Sequence, residues 1–138
     1  SFEAPSDSGG NNVYDITVTA SDGSATTTQA VAITVTNVAP TISSGSTGSV
    51  TEGATAGTTV YTAAATDPAG GTVTYSLTGT DASAFTINSS TGAVTINATP
   101  NFETKSSYSF NVVASDGSLT STKAVTAMIT LTVEWAKT

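Results

Sequence analysis

Apolar and polar residues alternate along most of this chain, in short runs that are separated by turn residues. Val73, Tyr75 and Leu77 illustrate the pattern, with Thr or Ser between them. A period of two residues predicts strands that bury one face. Turn signals such as Asp67-Pro-Ala-Gly-Gly71 recur at roughly the spacing of an all-β sandwich, and no stretch has a helical period. The sustained alternation also argues against a disordered Ser/Thr linker.

One strand and its turn occur twice. Tyr14-Asp-Ile-Thr-Val-Thr-Ala-Ser-Asp-Gly-Ser24 matches Tyr108-Ser-Phe-Asn-Val-Val-Ala-Ser-Asp-Gly-Ser118 at seven of eleven positions, 94 residues apart. A repeat of this length is a whole small β domain. Within the turn, Gly117 can adopt a positive φ, and Asp116 can either cap the turn or hold a cation.

Residues 39–138 form one complete repeat, and residues 1–38 form part of another. The complete repeat carries seven predicted strands, enough for an all-β, seven-stranded Greek-key sandwich: 42–51, 58–65, 72–78, 84–87, 93–97, 107–115 and 121–133. Residues 1–38 contain two strands, too few to close a core. We interpret them as the C-terminal two strands of a preceding repeat, or as strands exchanged between copies. Residues 37–40 are the linker, which Pro40 stiffens.

The charge and composition of the chain exclude several classes of function. The formal net charge is −7, from ten carboxylates against three lysines, with no Arg or His. This balance argues against nucleic-acid binding and makes divalent cations the natural counter-ions of the carboxylates. The absence of Cys excludes disulfides and thiol catalysis. No apolar run is long enough to span a bilayer, and the Ser/Thr-rich composition suits an extracellular protein, secreted or at a cell surface.

Five short elements, in order, resemble the cadherin-like repeats of bacterial surface adhesins. The most specific is Ala84-Phe-Thr-Ile-Asn-Ser-Ser-Thr-Gly-Ala-Val-Thr-Ile96, which is similar to the family's F-x-I-x-x-x-T-G-x-I core. The others are Thr51-Glu-Gly53, Ala65-Thr-Asp67, Asn101-Phe-Glu103 and Val113-Ala-Ser-Asp-Gly117. In the partial repeat, Ser1-Phe-Glu3 resembles Asn101-Phe-Glu103. The resemblance implies a cadherin/immunoglobulin-like sandwich.

The resemblance also implies calcium at the joints between repeats. Matched by position, four residues would converge at the joint within this chain: Glu3, Asn37, Asp67 and Asp116. Glu52 and Glu103 would lie at the opposite pole and Asp22 at an upstream joint. Calcium prefers six to eight oxygen ligands, which carboxylates on loop ends can supply.

This chain departs from the family pattern at two places. Ala69 replaces the second Asp of the family's D-x-D element, and the linker lacks the family's Asp-Asn residues. Because fewer charged ligands bind calcium more weakly, we expect one or two ions at the joint. The alternative is that Asp22 and Asp116 are only turn residues and Glu52 only a solvated charge.

Two functions are compatible with this sequence, and neither is enzymatic. Without His or Cys, nucleophilic catalysis would need a Ser/Lys pair, and no lysine lies in such a motif. The first function is a structural or adhesive repeat in a surface adhesin or filament, joined to neighbouring repeats or to copies of itself by strand pairing. The alternative is a module that binds carbohydrate or protein, for which Tyr61 and Trp135 are the candidate exposed aromatic residues.

Overall fold

Residues 1–132, those that this computed structural model describes, form eleven strands and one turn of 3-10 helix. The strands are β1 (Val13–Ser21), β2 (Thr26–Thr34), β3 (Thr41–Ile42), β4 (Thr47–Thr51), β5 (Thr59–Thr62), β6 (Ala65–Thr66), β7 (Thr74–Thr78), β8 (Phe85–Ile87), β9 (Ala93–Ile96), β10 (Ser107–Ser115) and β11 (Thr120–Thr130). The 3-10 turn, Ala82–Ala84, leads directly into β8.

Strands β3 to β11 form a sandwich of antiparallel sheets with one parallel pair. One sheet has the order β4-β11-β10-β7, the facing sheet has the order β5-β9-β8, and β3 pairs with β6. Strand β4 runs parallel to β11, and the other pairs are antiparallel. The all-β sandwich predicted from the alternating pattern is therefore confirmed.

The core lies between the two larger sheets and is built from the apolar phase of each strand. Val112 from one sheet and Val94 from the other are completely buried, and Phe110 belongs to the same cluster. The Phe110 ring lies 4.8 Å from that of Phe85, measured between centroids. Aromatic pairs at such distances add specific contacts to the hydrophobic burial.

Two of the seven predicted strands are each divided in the structure. The prediction of one strand over 42–51 was wrong, because β3 and β4 lie in different sheets. The same holds for 58–65, where β5 and β6 separate. Each segment bends as it passes from one sheet to another, which sandwiches allow at bulges and small residues. Seven segments of chain thus supply nine strands.

Tyr61 is buried, so its prediction as an exposed aromatic residue was wrong. The pairing of β5 with β9 shifts between Thr59 and Tyr61, and both Val60 and Tyr61 face the core. A bulge interrupts the alternation of side chains and turns two successive residues inward. The Tyr61 hydroxyl lies 2.7 Å from Ser44 Oγ and 2.6 Å from the carbonyl oxygen of Gly45. The other candidate, Trp135, lies outside the described residues.

Strands β1 and β2 form a separate two-stranded hairpin that repeats the geometry of β10 and β11. Val13 pairs with Thr34 and Ser21 with Thr26. The residues 94 positions later pair in the same way, Ser107 with Met128 and Ser115 with Thr120. The apolar face of β1–β2 is exposed, with Ile16 at 47% and Val18 at 51% of full exposure.

Strand β11 ends at Thr130, three residues before the predicted end at Val133. Leu131 is exposed and follows the strand. Val133 and Trp135, the last members of the predicted apolar phase, lie outside the described residues.

Because the hairpin occurs twice, the effect of burial on stability can be tested with the same substitution at two equivalent positions. Replacing Val112 by Ala should lower the free energy of unfolding by about 2 kcal/mol, because two buried methyl groups are lost and a cavity is left. Val18→Ala, the same change at the equivalent exposed position, should change it by less than about 0.5 kcal/mol. Urea unfolding followed by circular dichroism measures both. Equal losses would show that the two faces are equally buried.

Candidate metal centre

Asp116 closes the turn between β10 and β11 with one oxygen and leaves the other for different contacts. Its Oδ1 accepts the backbone N–H groups of Ser118 and Leu119, both at 2.7 Å. Gly117 has a φ of 99°, the left-handed conformation that glycine adopts without strain. Asp116 is 93% buried, at 7% exposure. Both predicted properties of this turn, the cap at Asp116 and the positive φ at Gly117, are confirmed.

The linker is fastened to this turn. Asn37 donates its side-chain Nδ2–H to Asp116 Oδ2 at 2.9 Å, and its Oδ1 accepts the N–H of Val38 at the same distance. Pro40 is buried, and its carbonyl accepts a hydrogen bond from the Ser121 hydroxyl. These contacts, together with the fixed φ of proline, hold the linker against the start of β11.

Asp67 caps the loop that follows β6. Its Oδ1 accepts the N–H of Ala69 at 2.7 Å and its Oδ2 accepts the N–H of Gly71 at 2.8 Å. The loop also contains Gly70, whose φ is +89°. An Asp side chain that binds backbone groups two and four residues ahead is a common way to order a turn.

Three carboxylates from distant parts of the sequence meet at this end of the sandwich. Glu3, Asp67 and Asp116 each contribute an oxygen, and these three atoms lie within 4.8 Å of one another. The structure also brings Asn37 to the cluster through its bond to Asp116. All four residues of the joint named from the sequence therefore lie together.

Gly71 is a further residue of this site that the sequence analysis did not name. A Cβ atom built at Gly71 would lie 2.4 Å from Asp67 Oδ2 and 2.8 Å from Glu3 Oε2. The two carboxylates thus close over a position where only glycine fits. The Gly-Gly pair after Asp67 was a visible signal, but it indicated a turn and not a close approach of side chains.

The donor set fits a hard cation. It consists of oxygen ligands only, carries up to three negative charges, and lies in a chain without His or Cys. Two such charges about 4 Å apart repel by about 1 kcal/mol even in the dielectric of water, and by more where solvent is partly excluded. A divalent cation removes this repulsion, and calcium prefers oxygen ligands.

The remaining predicted residues lie elsewhere. Glu52 and Glu103 line one shallow pocket, and Glu52 Oε2 accepts the N–H of Phe102 at 2.9 Å. Glu103 precedes β10 and Asp116 follows it, so about 30 Å of strand separates them at the usual rise. In the hairpin, Asp22 Oδ1 accepts the N–H groups of Ser24 and Ala25 at 2.9 Å, as Asp116 does in its turn.

The fold and the site define a β-sandwich repeat with a carboxylate cluster where a linker enters it. The family model of the cadherin domain matches residues 46–134. The chain belongs to the cadherin family. A comparison with curated proteins gave no match.

Solved structures of cadherin extracellular domains share this fold. Mouse cadherin-23 EC22-24 is 26% identical with a TM-score of 0.62, over 88% of this chain and 43% of that one. Human protocadherin-24 EC1-2 is 21% identical with a TM-score of 0.64, over 69% of this chain and 44% of that one. A structure of a protocadherin gammaB7 EC3-6 cis-dimer is 22% identical with a TM-score of 0.63, over 86% and 33%. The chain spans less than half the length of these structures.

Family membership supports the general class of function. Cadherin domains are non-enzymatic adhesion modules of extracellular proteins, and they generally bind calcium. The solved relatives contain several such domains in tandem. Within residues 1–132, no helix has the length and apolar character needed to cross a membrane.

The hydrogen bonds to Asp116 predict how stability depends on pH. The N–H groups of Leu119 and Ser118, then the Asn37 amide, hold the pKa of Asp116 below its ordinary 3.8, and burial only partly opposes them. The ionised carboxylate therefore contributes stability that is complete above pH 3.8 and is lost as the pH falls through the lowered pKa. In chelator, Asp116→Asn should destabilise the protein at about pH 7 and much less at a pH below the lowered pKa of Asp116, where both side chains are neutral. Urea unfolding at each pH measures this; an equal loss at both would show that charge is not the cause.

Proposed function

We propose that this chain is an extracellular structural and adhesive module, a cadherin repeat of a bacterial surface adhesin or surface filament, whose joints are stiffened by calcium. Glu3, Asp67 and Asp116 supply carboxylate oxygens to the ion, and Asn37 supplies the linker's contact. The module holds other parts of the protein away from the cell, and the repeats act as a stalk.

The convergence of three carboxylates on the linker supports this proposal most directly. Their oxygens lie within 4.8 Å although the residues are separated by 64 and 49 positions in sequence (67 − 3 and 116 − 67). Asp116 is the buried member, and a buried carboxylate is retained when it is hydrogen-bonded or bound to a cation. Neither turn capping nor solvation requires Glu3 to join the other two.

Calcium would stiffen the joint because its ligands come from both sides of the linker. Glu3 belongs to the segment before the linker, whereas Asp67 and Asp116 belong to the sandwich after it. Without the ion, like charges favour separation of the two sides. With the ion, relative motion would break strong oxygen contacts, so the linker loses its freedom.

Glu52 and Glu103 form the matching half of the next joint in this proposal. They line the same pocket at the far end of β10. The alignment of Asn101-Phe-Glu103 with Ser1-Phe-Glu3 supports one such carboxylate at each joint. Further repeats would supply the remaining ligands. Repeats continuous in one polypeptide make a stalk, and repeats in separate subunits joined by strand pairing make a filament.

A carbohydrate- or protein-binding module is the alternative function. It depends on exposed aromatic residues, and the burial of Tyr61 removes one candidate platform. A glycan array separates the alternatives: binding to specific sugars with no change of rigidity in calcium would favour the binding module over the structural one.

Calcium should raise the stability of the protein. An ion that binds the native state alone adds about 2.7 kcal/mol to the free energy of unfolding at a concentration one hundred times its dissociation constant. Differential scanning calorimetry should therefore show a melting temperature that rises with calcium and falls in chelator. A melting temperature that is the same in both would contradict the proposal.

Two matched substitutions distinguish the loss of a calcium ligand from damage to the turn. Asp116→Asn removes a charged ligand but keeps an oxygen to cap the turn, so it should reduce the calcium-dependent rise in melting temperature. Asp22→Asn makes the same change in the same turn of the hairpin, away from the cluster, and should leave that rise unaltered. An equal effect of both would assign the loss to the turns.

Gly71→Ala provides a test that removes no ligand. The new Cβ would displace the carboxylates of Asp67 and Glu3, because it would lie within 3 Å of both. We expect calcium affinity, measured by isothermal titration calorimetry, to fall at least about tenfold, since a displacement of that size disrupts ligand geometry. Gly45→Ala is the control, because nothing lies within 4 Å of its Cβ position. Unchanged affinity in Gly71→Ala would exclude an ion at this position.

A further inference from the structure

Strands β4 and β11 form the one parallel pair among the described strands. Thr47 pairs with Thr126 and Thr51 with Thr130, so five residues of β4 lie beside five residues of β11. Strand β4 lies at the edge of its sheet and has no other strand beside it within residues 1–132. In this part of the chain, the pairing with β11 is therefore the only strand pairing that holds β4 in the sandwich.

The chain enters and leaves this pair at opposite ends of the sandwich. The linker lies beside the start of β11, where the carbonyl of Pro40 accepts a hydrogen bond from the Ser121 hydroxyl. From there β11 runs for eleven residues, about 35 Å at the usual rise, and β4 runs in the same direction. Tension along the chain would therefore pull β4 by its first residue and β11 by its last, so that the two strands slide past each other.

Hydrogen bonds close both ends of the ladder between these strands. The N–H of Thr126 donates to the carbonyl oxygen of Ser46 at 3.0 Å, and the N–H of Glu52 donates to the carbonyl oxygen of Thr130 at 2.8 Å. The Thr130 hydroxyl lies 3.4 Å from the carbonyl oxygen of Val50. The bonds of a parallel ladder are evenly spaced along the strands. They carry the load together when the strands slide, whereas strands that are peeled apart lose them one at a time.

Strand β4 also packs against the facing sheet. Val50 is buried and belongs to the core cluster. A Cβ atom built at Gly48 would lie 2.5 Å from the carbonyl oxygen of Val60, so the backbones of β4 and β5 are in close contact. Sliding of β4 along β11 would therefore disrupt core packing in addition to the hydrogen bonds, and tightly packed cores resist such displacement.

We infer that the parallel pair β4–β11 bears the mechanical load when this chain is stretched, and that its rupture is the step that opens the sandwich. Strand β3, which the tension reaches before β4, resists less because only Thr41 and Ile42 pair with β6. The inference takes from the proposed function only that the chain is pulled lengthwise. The carboxylates of the cluster are not part of the pair, so either proposal can fail alone.

Tension can be applied at chosen residues, because the chain contains no cysteine. Gly45→Cys combined with Leu131→Cys places the attachment points at opposite ends of the ladder, so that the strands slide. Thr55→Cys combined with Leu131→Cys places both at the same end, so that the strands are peeled apart. All three positions are exposed, and nothing lies within 4 Å of the Cβ position of Gly45. Each double variant is coupled to DNA handles and stretched in optical tweezers at one pulling rate.

We expect the sliding geometry to need a rupture force at least about twofold higher than the peeling geometry, because several hydrogen bonds must break at once. Its rupture should also release 86 residues (131 − 45), about 300 Å of extended chain, in a single step. Calorimetry provides the control, since both double variants should melt at the temperature of the unmodified chain.

The force measured in chelator tests whether the ladder or an ion carries the load. In the sliding geometry the rupture force should be the same in calcium and in chelator. A force that falls in chelator to the value of the peeling geometry would overturn the inference, because the ion would then bear the load. Equal rupture forces in the two geometries would overturn it as well, since the direction of pulling would then have no effect.

Discussion

The structure depends on covering one face of a long β-hairpin. Strands β10 and β11 place every second residue inward, and Phe110, Val112 and Val125 reach almost complete burial only because a second sheet lies over them. A side chain of this size contributes about 1.5–3 kcal/mol when it is fully buried. The equivalent hairpin at residues 13–34 has the same pairing but no covering sheet within residues 1–132, which separates the contribution of strand pairing from that of the core.

Closure of the sandwich also assembles the acidic cluster. The turn between β10 and β11 contains Asp116, and the loop after β6 begins at Asp67. Both residues lie at the end of the sandwich where the linker enters. Asn37 then joins the linker to Asp116, which brings Glu3 of the preceding segment within reach. Strand and turn residues thus position the charges, and among residues 1–132 no ion pair involves Glu3, Asp67 or Asp116.

Much of this was accessible from the sequence, for local reasons. The bounds of β10 matched the prediction, because its alternation holds at every position but Val113 and an Asp-Gly turn ends it. The predicted strands over 42–51 and 58–65 each became two, since a change of sheet leaves no distinct mark in the sequence. Tyr61 was predicted on the exposed face of its strand, and this was wrong because a bulge turns its side chain inward without any change in the sequence pattern of apolar and polar residues. The site residues were found by resemblance to a family, except for Gly71, whose role depends on side chains from two other segments.

The sequence by itself determined the strand periodicity, the duplicated hairpin with its register, and the excess of carboxylates, because each of these is a property of neighbouring residues or of composition. Only the tertiary structure decided which apolar faces are buried and which carboxylates meet. Val18 and Val112 are identical in type and in strand position, yet one is half exposed and the other inaccessible to solvent. Asp22 and Asp116 close the same turn, yet only Asp116 approaches Glu3 and Asp67. Burial and charge proximity depend on segments far apart in sequence, so no local pattern can encode them.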